Sequence, residues 1–285
     1  MMKIGFIGSG TVGTALAVLL SRQGYRVVAV ASRSRAPAER LAGAINSCRV
    51  MTSQEVANTA DLIFITTPDD AIGSVVSQVK WPSGCSVVHC SGADSTDILE
   101  PARKSGAMVG GFHPFQTFAS VKQAIENIPG STFALEALEP LLTTLKDMAT
   151  ALGGRWIELK AADKVAYHAA AVFASNYLVT LVKMSTDLWQ TFAIPTNQAV
   201  QALLPLMRGT LHNIETIGIP QCLTGPIARG DTGTINKHLK TLREKAPALL
   251  FPYKELGLQT IPIALAKGRI DEKEAVELET ILKTN

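Results

Sequence analysis

Three glycines near the start of the chain, Gly8, Gly10 and Gly13, stand in the spacing G-x-G-x-x-G. They directly follow an apolar run, Ile4 to Ile7, and precede apolar residues at helical spacing, Val12, Leu16, Leu19 and Leu20. That order reads as strand, tight turn and helix. The chemistry it permits is anion binding, because the first-turn N–H groups of a helix have no partner within the helix and face a ligand with the positive end of the helix dipole behind them. Gly8 makes the turn, Gly10 lets the backbone approach a pyrophosphate and Gly13 lets helix and strand pack closely. The stretch Gly8, Ser9, Gly10, Thr11, Val12, Gly13 is therefore expected to hold a dinucleotide.

The tip of the second strand, Tyr25 to Ala31, decides which dinucleotide. A site for NAD wants an acid there to accept hydrogen bonds from the adenosine ribose, whereas a 2′-phosphate wants Arg and small hydroxyl donors. The residues are Ser32, Arg33, Ser34 and Arg35, with no carboxylate before Glu39. They predict NADP, its 2′-phosphate on Ser32, Arg33 and Ser34.

Further polar residues fall where ligands sit in such folds, at the carboxyl ends of strands. Thr66, Thr67 and Pro68 close the strand Leu62 to Thr67, and Ser91 and Gly92 follow the strand Cys85 to Cys90. Beyond a strand from Ala107 to Phe112, a turn running to Phe118 alternates aromatic rings with His113, Gln116 and Thr117. Rings that exclude water beside groups able to orient a carbonyl or carboxylate suit a small-molecule site; the other reading of His113 is a cap on a loop backbone. His89, inside a strand, is expected to be a packed core histidine.

The elements that must position these groups alternate strand and helix up to Glu158: a helix from Pro37 to Ala44, a short strand Arg49 to Met51, a helix capped by Ser53, helices Ala71 to Val79 and Ser95 to Lys104. From Val121 come a loop, a strand Ser131 to Leu135, a helix Glu139 to Leu152 and a strand Arg155 to Glu158. Beyond Leu159 no strand is expected. Ala161 to Thr191 is apolar all round at helical spacing, as in a helix buried in a core or between subunits, and more helices follow. The fold class is α/β: a doubly wound Rossmann sheet, residues 1–158, followed by an all-α domain, residues 159–285, for substrate binding and dimerisation.

Composition narrows the function. With 285 residues there is material for two cores, and a net charge of only +3 with scattered basic residues argues against nucleic acid. Four cysteines show no metal-ligand spacing, so no metal is expected. No uninterrupted run of about 18 apolar residues and no secretory leader pattern is seen, so a cytoplasmic protein acting on a small molecule, away from membranes, is expected.

A glycine-rich NADP domain followed by an all-α domain opened by one long helix resembles the superfamily of 6-phosphogluconate dehydrogenases, β-hydroxyacid dehydrogenases, ketopantoate reductases and pyrroline-carboxylate reductases. Three stretches, Gly111 to Phe118, Tyr167 to Leu178 and Leu223 to Asp231, resemble more closely one branch of it, Rossmann-like proteins whose helical half is a domain of unknown function. In that superfamily a Lys on the long helix, with an Asn one or two turns on, polarises the substrate carbonyl. The resemblance puts Asn176 on the amide position and His168 on that of the Lys, with Lys164 one turn earlier as a fallback. Residues 168, 172 and 176 share one face of a regular helix. Imidazole can give the proton that balances hydride delivery to a carbonyl or imine. Arg229 either meets a substrate carboxylate or sits at a corner where Asp231 or Thr232 caps the next helix. The expectation is an NADP-dependent oxidoreductase reducing a small 2-oxo acid or related carbonyl or imine, as a homodimer, with His168, Asn176 and His113 catalytic; the alternative is an NADP-binding sensor or partner-binding protein without turnover.

Overall fold

A computed structural model describes residues 1–284. The chain divides into two compact units, Met1–Ser175 and the residues from Asn176 onward. Unit 1 runs β1 (Lys3–Ile7), α1 (Thr11–Arg22), β2 (Arg26–Ala31), α2 (Arg35–Gly43), β3 (Arg49–Val50), α3 (Ser53–Thr59), β4 (Leu62–Ile65), α4 (Asp69–Gln78) and β5 (Ser86–His89). A 3-10 turn then leads into α5 (Glu100–Lys104), followed by β6 (Met108–Phe115), α6 (Val121–Asn127), β7 (Thr132–Ala137), α7 (Leu141–Ala151), β8 (Arg155–Glu158) and α8 (Lys164–Ala171).

The eight strands form one sheet in the order β3-β2-β1-β4-β5-β6-β7-β8. The first six are parallel, β7 runs antiparallel to β6, and β8 is parallel to β7. This is a Rossmann-like, doubly wound arrangement, and its strands are continuous apolar runs because helices cover both faces. One core holds Ile4, Phe6, Leu16, Leu20, Phe64, Phe112, Phe133 and Leu145, the other Ile7, Ile63, Ile65, Val76, Val87 and Leu99. A row of rings crosses the first core: Phe6 stacks on Phe64 at 5.2 Å, Phe64 meets Phe112 at 5.7 Å and Phe112 meets Phe133 at 4.7 Å.

Unit 2 is helical: α9 (Tyr177–Gln190), α10 (Thr196–Thr216), a 3-10 turn Ile227–Arg229, α11 (Thr232–Lys245), α12 (Leu250–Lys267) and α13 (Glu272–Lys283). Its core gathers Ile227, Ile235, Leu239, Ile261, Ile270 and Leu278. Asp231 caps α11, accepting from Thr234 N at 2.9 Å and Thr234 Oγ1 at 2.7 Å.

Several expectations change. The strand β6 continues through His113 to Phe115, because β7 pairs alongside it as far as Phe115↔Thr132, so His113 lies on a strand and Phe112 belongs to the core. A helix, α6, stands where a loop was expected, and Thr52 rather than Ser53 caps α3, in a capping box with Glu55. The units part at Ser175, later than the expected 158/159 boundary, because Lys164 and Tyr167 bond to residues of the sheet. The long helix is broken by a π turn, Val172–Asn176, between α8 and α9. It is not buried within the chain, as the exposure of Val165 and Val179 shows. By length and composition alone, 161–190 is long and apolar enough to cross a bilayer, although Lys164 and Tyr167 within it bond to the sheet.

Candidate active site

The glycine turn is built for three different reasons. Gly8 has φ 119°, a left-handed conformation that L side chains rarely adopt, and a Cβ there would lie 2.5 Å from the Thr66 backbone. At Gly13 a Cβ would lie 2.3 Å from Thr66 Oγ1 and 2.7 Å from the Gly8 carbonyl oxygen, so α1 can approach β1 and β4 only without a side chain. Gly10 differs. Its φ of −71° suits any residue, and a Cβ would meet nothing within 4 Å. Neither conformation nor packing within the chain demands glycine there, and the backbone is left open to a group from outside.

Thr66 Oγ1 donates to the Gly8 carbonyl at 2.9 Å and fixes the turn against the end of β4. Around it, Ser9 Oγ and Thr67 Oγ1 are buried and lack hydrogen-bond partners, an arrangement that polar atoms rarely keep without a ligand or water. Thr11 and Val12 begin α1, and Pro68 precedes α4. Beyond β2, Ser34 is the N-cap of α2 yet makes no side-chain cap hydrogen bond, and Arg33 is exposed, as is Arg35, whose Nε donates to Glu39 at 2.7 Å. Ser32 is half-buried. These residues fit a dinucleotide: open backbone at the turn, unpartnered hydroxyls beside it, and Arg33 with Ser34 at the tip of the second strand.

Ser91 is buried, and its hydroxyl is committed to carboxylates of its own loop and of the start of α4. Its Oγ lies 2.9 Å from both Asp69 Oδ2 and Asp94 Oδ2 and accepts from Asp94 N at 3.0 Å. That lattice fixes Gly92, and two imidazoles converge there. A Cβ on Gly92 would lie 2.7 Å from His168 Cδ2 and 2.8 Å from His113 Nε2, and the two rings are 6.3 Å apart. His113 Nδ1 is 2.8 Å from the Tyr167 hydroxyl. Burial, then the charges of His168 and Lys164, push the His113 pKa down to about 4; burial raises that of Tyr167.

Behind this pair is a buried ion pair. Lys164 Nζ is 3.4 Å from Glu136 Oε2, and Glu136 accepts from Thr96 Oγ1 at 2.8 Å. Burial lowers the Lys164 pKa, and Glu136 opposes that shift. His89 is fully buried in β5, its pKa pushed down to about 3 by burial and by Lys164.

Unit 1 thus brings together His113, His168 and Gly92. Sequence reasoning missed Tyr167, Glu136 and Asp94. The spacing 164, 167, 168 carried a signal for Tyr167, since it puts three polar residues on one face of α8. Asn176 ends the π turn, where bonds reach five residues back, so the regular spacing that joined it to His168 does not hold.

A model described as a Rossmann-like domain matches residues 1–114, and one described as a domain of unknown function, DUF2520, matches residues 131–260. Between them the two models match a Rossmann-like stretch and, after it, a DUF2520-like stretch. The chain fits the NAD(P)-binding dehydrogenase superfamily. A solved structure of a candidate NADP oxidoreductase from Bacteroides fragilis is 26% identical, with TM-score 0.74, over 92% of this chain and 98% of that one. A reductive aminase from Aspergillus terreus, solved with NADPH and ethyl-5-oxohexanoate, shares the fold at 14% identity and TM-score 0.65, over 99% and 93% of the two chains. The 2-hydroxy-3-oxopropionate reductase of Escherichia coli is 31% identical over 97 residues, which span 34% of this chain and 32% of that one.

Proposed function

We propose that this protein is an NADP-dependent reductase of a small 2-oxo acid or related carbonyl or imine. The observation that carries the reading is the convergence of His113 and His168 on the Gly92 backbone, past the carboxyl end of β5, in the unit that also holds the open glycine turn. The backbone of Gly8 to Gly13 would hold the pyrophosphate, Ser32, Arg33 and Ser34 the 2′-phosphate, and Thr66, Thr67, Pro68 and Gly92 the ribose and nicotinamide half. NADPH, when bound, supplies a hydride.

The residues of the chain do the rest. Tyr167, kept neutral by burial, donates to His113 Nδ1, so His113 Nε2 carries the ring proton and presents it as a hydrogen-bond donor to the substrate carbonyl. His168, on the same side of Gly92, gives the proton that balances the developing negative charge on oxygen or nitrogen. The ion pair of Lys164 and Glu136 is a positioning element beside His113, whose ring is kept neutral chiefly by burial, with His168 and Lys164 adding to that. Asn176 is assigned no step. His168→Ala should lower turnover of NADPH with 2-oxo acids and cyclic imines by about a hundredfold while leaving NADPH affinity within about twofold. Equal turnover in the variant removes His168 from the reaction, and NADPH binding with no oxidation across the whole panel favours a sensor.

The same reading includes a homodimer. In unit 2, α9 and α10 leave Val179, Leu181, Leu204, Leu206 and Leu211 exposed, apolar side chains that a partner would bury. A second copy covering them predicts a dimer by light scattering at micromolar concentration; a monomer overturns this part.

A further inference from the structure

Unit 2 contains a pocket of its own, about 410 Å³, between the loop Leu223 to Arg229 and the end of α12, where Lys267 and Arg269 stand. Local chain chemistry explains its shape. Gly268, at φ 72°, stops α12 with a left-handed cap and sends Arg269 out beside the helix end, while Ile270 drops into the core. Opposite, the 3-10 turn Ile227–Arg229 buries Ile227 and leaves Arg229 exposed. Lys267 Nζ donates to the Leu223 carbonyl at 2.6 Å and ties the two walls together. Both arginines therefore sit within two residues of an isoleucine anchored in the core.

Three cations and no carboxylate are among the residues that line the pocket. Arg229 makes a long ion pair with Asp231 Oδ2, 3.8 Å away, and Asp231 also caps the N-terminus of α11. Glu274, next to Gly230, accepts from Asp271 N in the capping box of α13. Arg269 has no ion pair among the described residues. Three cations face a cavity of small-ligand size, and the nearby carboxylates serve as helix caps.

We infer that this pocket binds a small polyanion carrying phosphate or carboxylate groups. The planar guanidinium forks of Arg229 and Arg269 can each take paired oxygens, and Lys267 adds a point charge already held in place. Every residue the inference uses lies in unit 2, and the glycine turn lies in unit 1, so the two can be altered separately.

The test is calorimetry of the full chain with sodium pyrophosphate and, separately, citrate. Four proteins are compared: the unaltered chain, Gly10→Val, which closes the glycine turn to pyrophosphate, the pair Arg229→Ala with Arg269→Ala, and Thr224→Glu, which puts a negative charge into the pocket. One or both anions should bind the unaltered chain and Gly10→Val alike, and should bind roughly tenfold more weakly to the arginine pair and to Thr224→Glu. Binding should also weaken with added salt. No heat with either anion, or heat lost in Gly10→Val and unchanged in the other two, overturns the inference.

Discussion

His113 Nδ1 and the Tyr167 hydroxyl meet at 2.8 Å, and this contact joins the end of a strand to the first helix beyond the sheet. The two rings stand nearly perpendicular, edge to face. If the phenol fixes which nitrogen of His113 carries the proton, Tyr167→Phe should lower kcat by about tenfold and leave the KM for NADPH unchanged, with a stability loss of about 1 kcal/mol. A parallel loss in cofactor affinity would assign Tyr167 to folding alone.

Two buried histidines make stability depend on pH. Folding depresses the His113 pKa to about 4 and that of His89 to about 3, below the ordinary value of 6.5. The unfolded chain then binds more protons than the folded one, so stability rises with pH through the window from about 4 to 6.5 and is lost as pH falls through it. Urea midpoints should drop between pH 7 and pH 5, and His89→Asn should flatten the slope. A midpoint independent of pH in that range would refute the assignment.

The three glycines of the opening turn should separate by experiment. Gly10→Val should keep the thermal midpoint, since its Cβ meets nothing within 4 Å, and lose most NADPH affinity. Gly13→Val should lower stability by about 2 kcal/mol or more, because it forces α1 away from Thr66. Unchanged NADPH affinity in Gly10→Val would place the cofactor elsewhere.

Arg33 is exposed and contributes nothing to the core, so Arg33→Ala should be neutral for stability. Its effect should appear in cofactor choice: the preference for NADPH over NADH should fall by roughly tenfold or more, the worth of a charge-assisted contact to a phosphate. A ratio unmoved by the substitution would argue against the 2′-phosphate cradle.

Much of the fold was legible because parallel strands covered on both faces leave continuous apolar runs, such as Val27 to Ala31 and Leu62 to Ile65, that need no partner to be recognised. What the sequence hid depends on partners far away in the chain. Pro114 ends a strand by local rules, yet β6 runs through it because β7 returns alongside and Phe133 sits opposite. The π turn at Val172–Asn176 leaves no mark in composition, so the even spacing of His168 and Asn176 misled. His113 and His168 were visible singly; that their rings meet beside Gly92 is a contact between residues far apart in the chain, which no local pattern records. Glu136 went unnoticed for the same reason, since its partner Lys164 is 28 positions later in the chain.

The row of phenylalanines from Phe6 through Phe64 and Phe112 to Phe133 crosses the line where strand direction reverses. Because the same interlocked rings serve both sides of that line, β7 should not fray independently of the parallel strands. Backbone amides of Phe133 and of Phe6 should exchange with deuterium at matching, globally limited rates, making the sheet a single cooperative block up to its reversed edge.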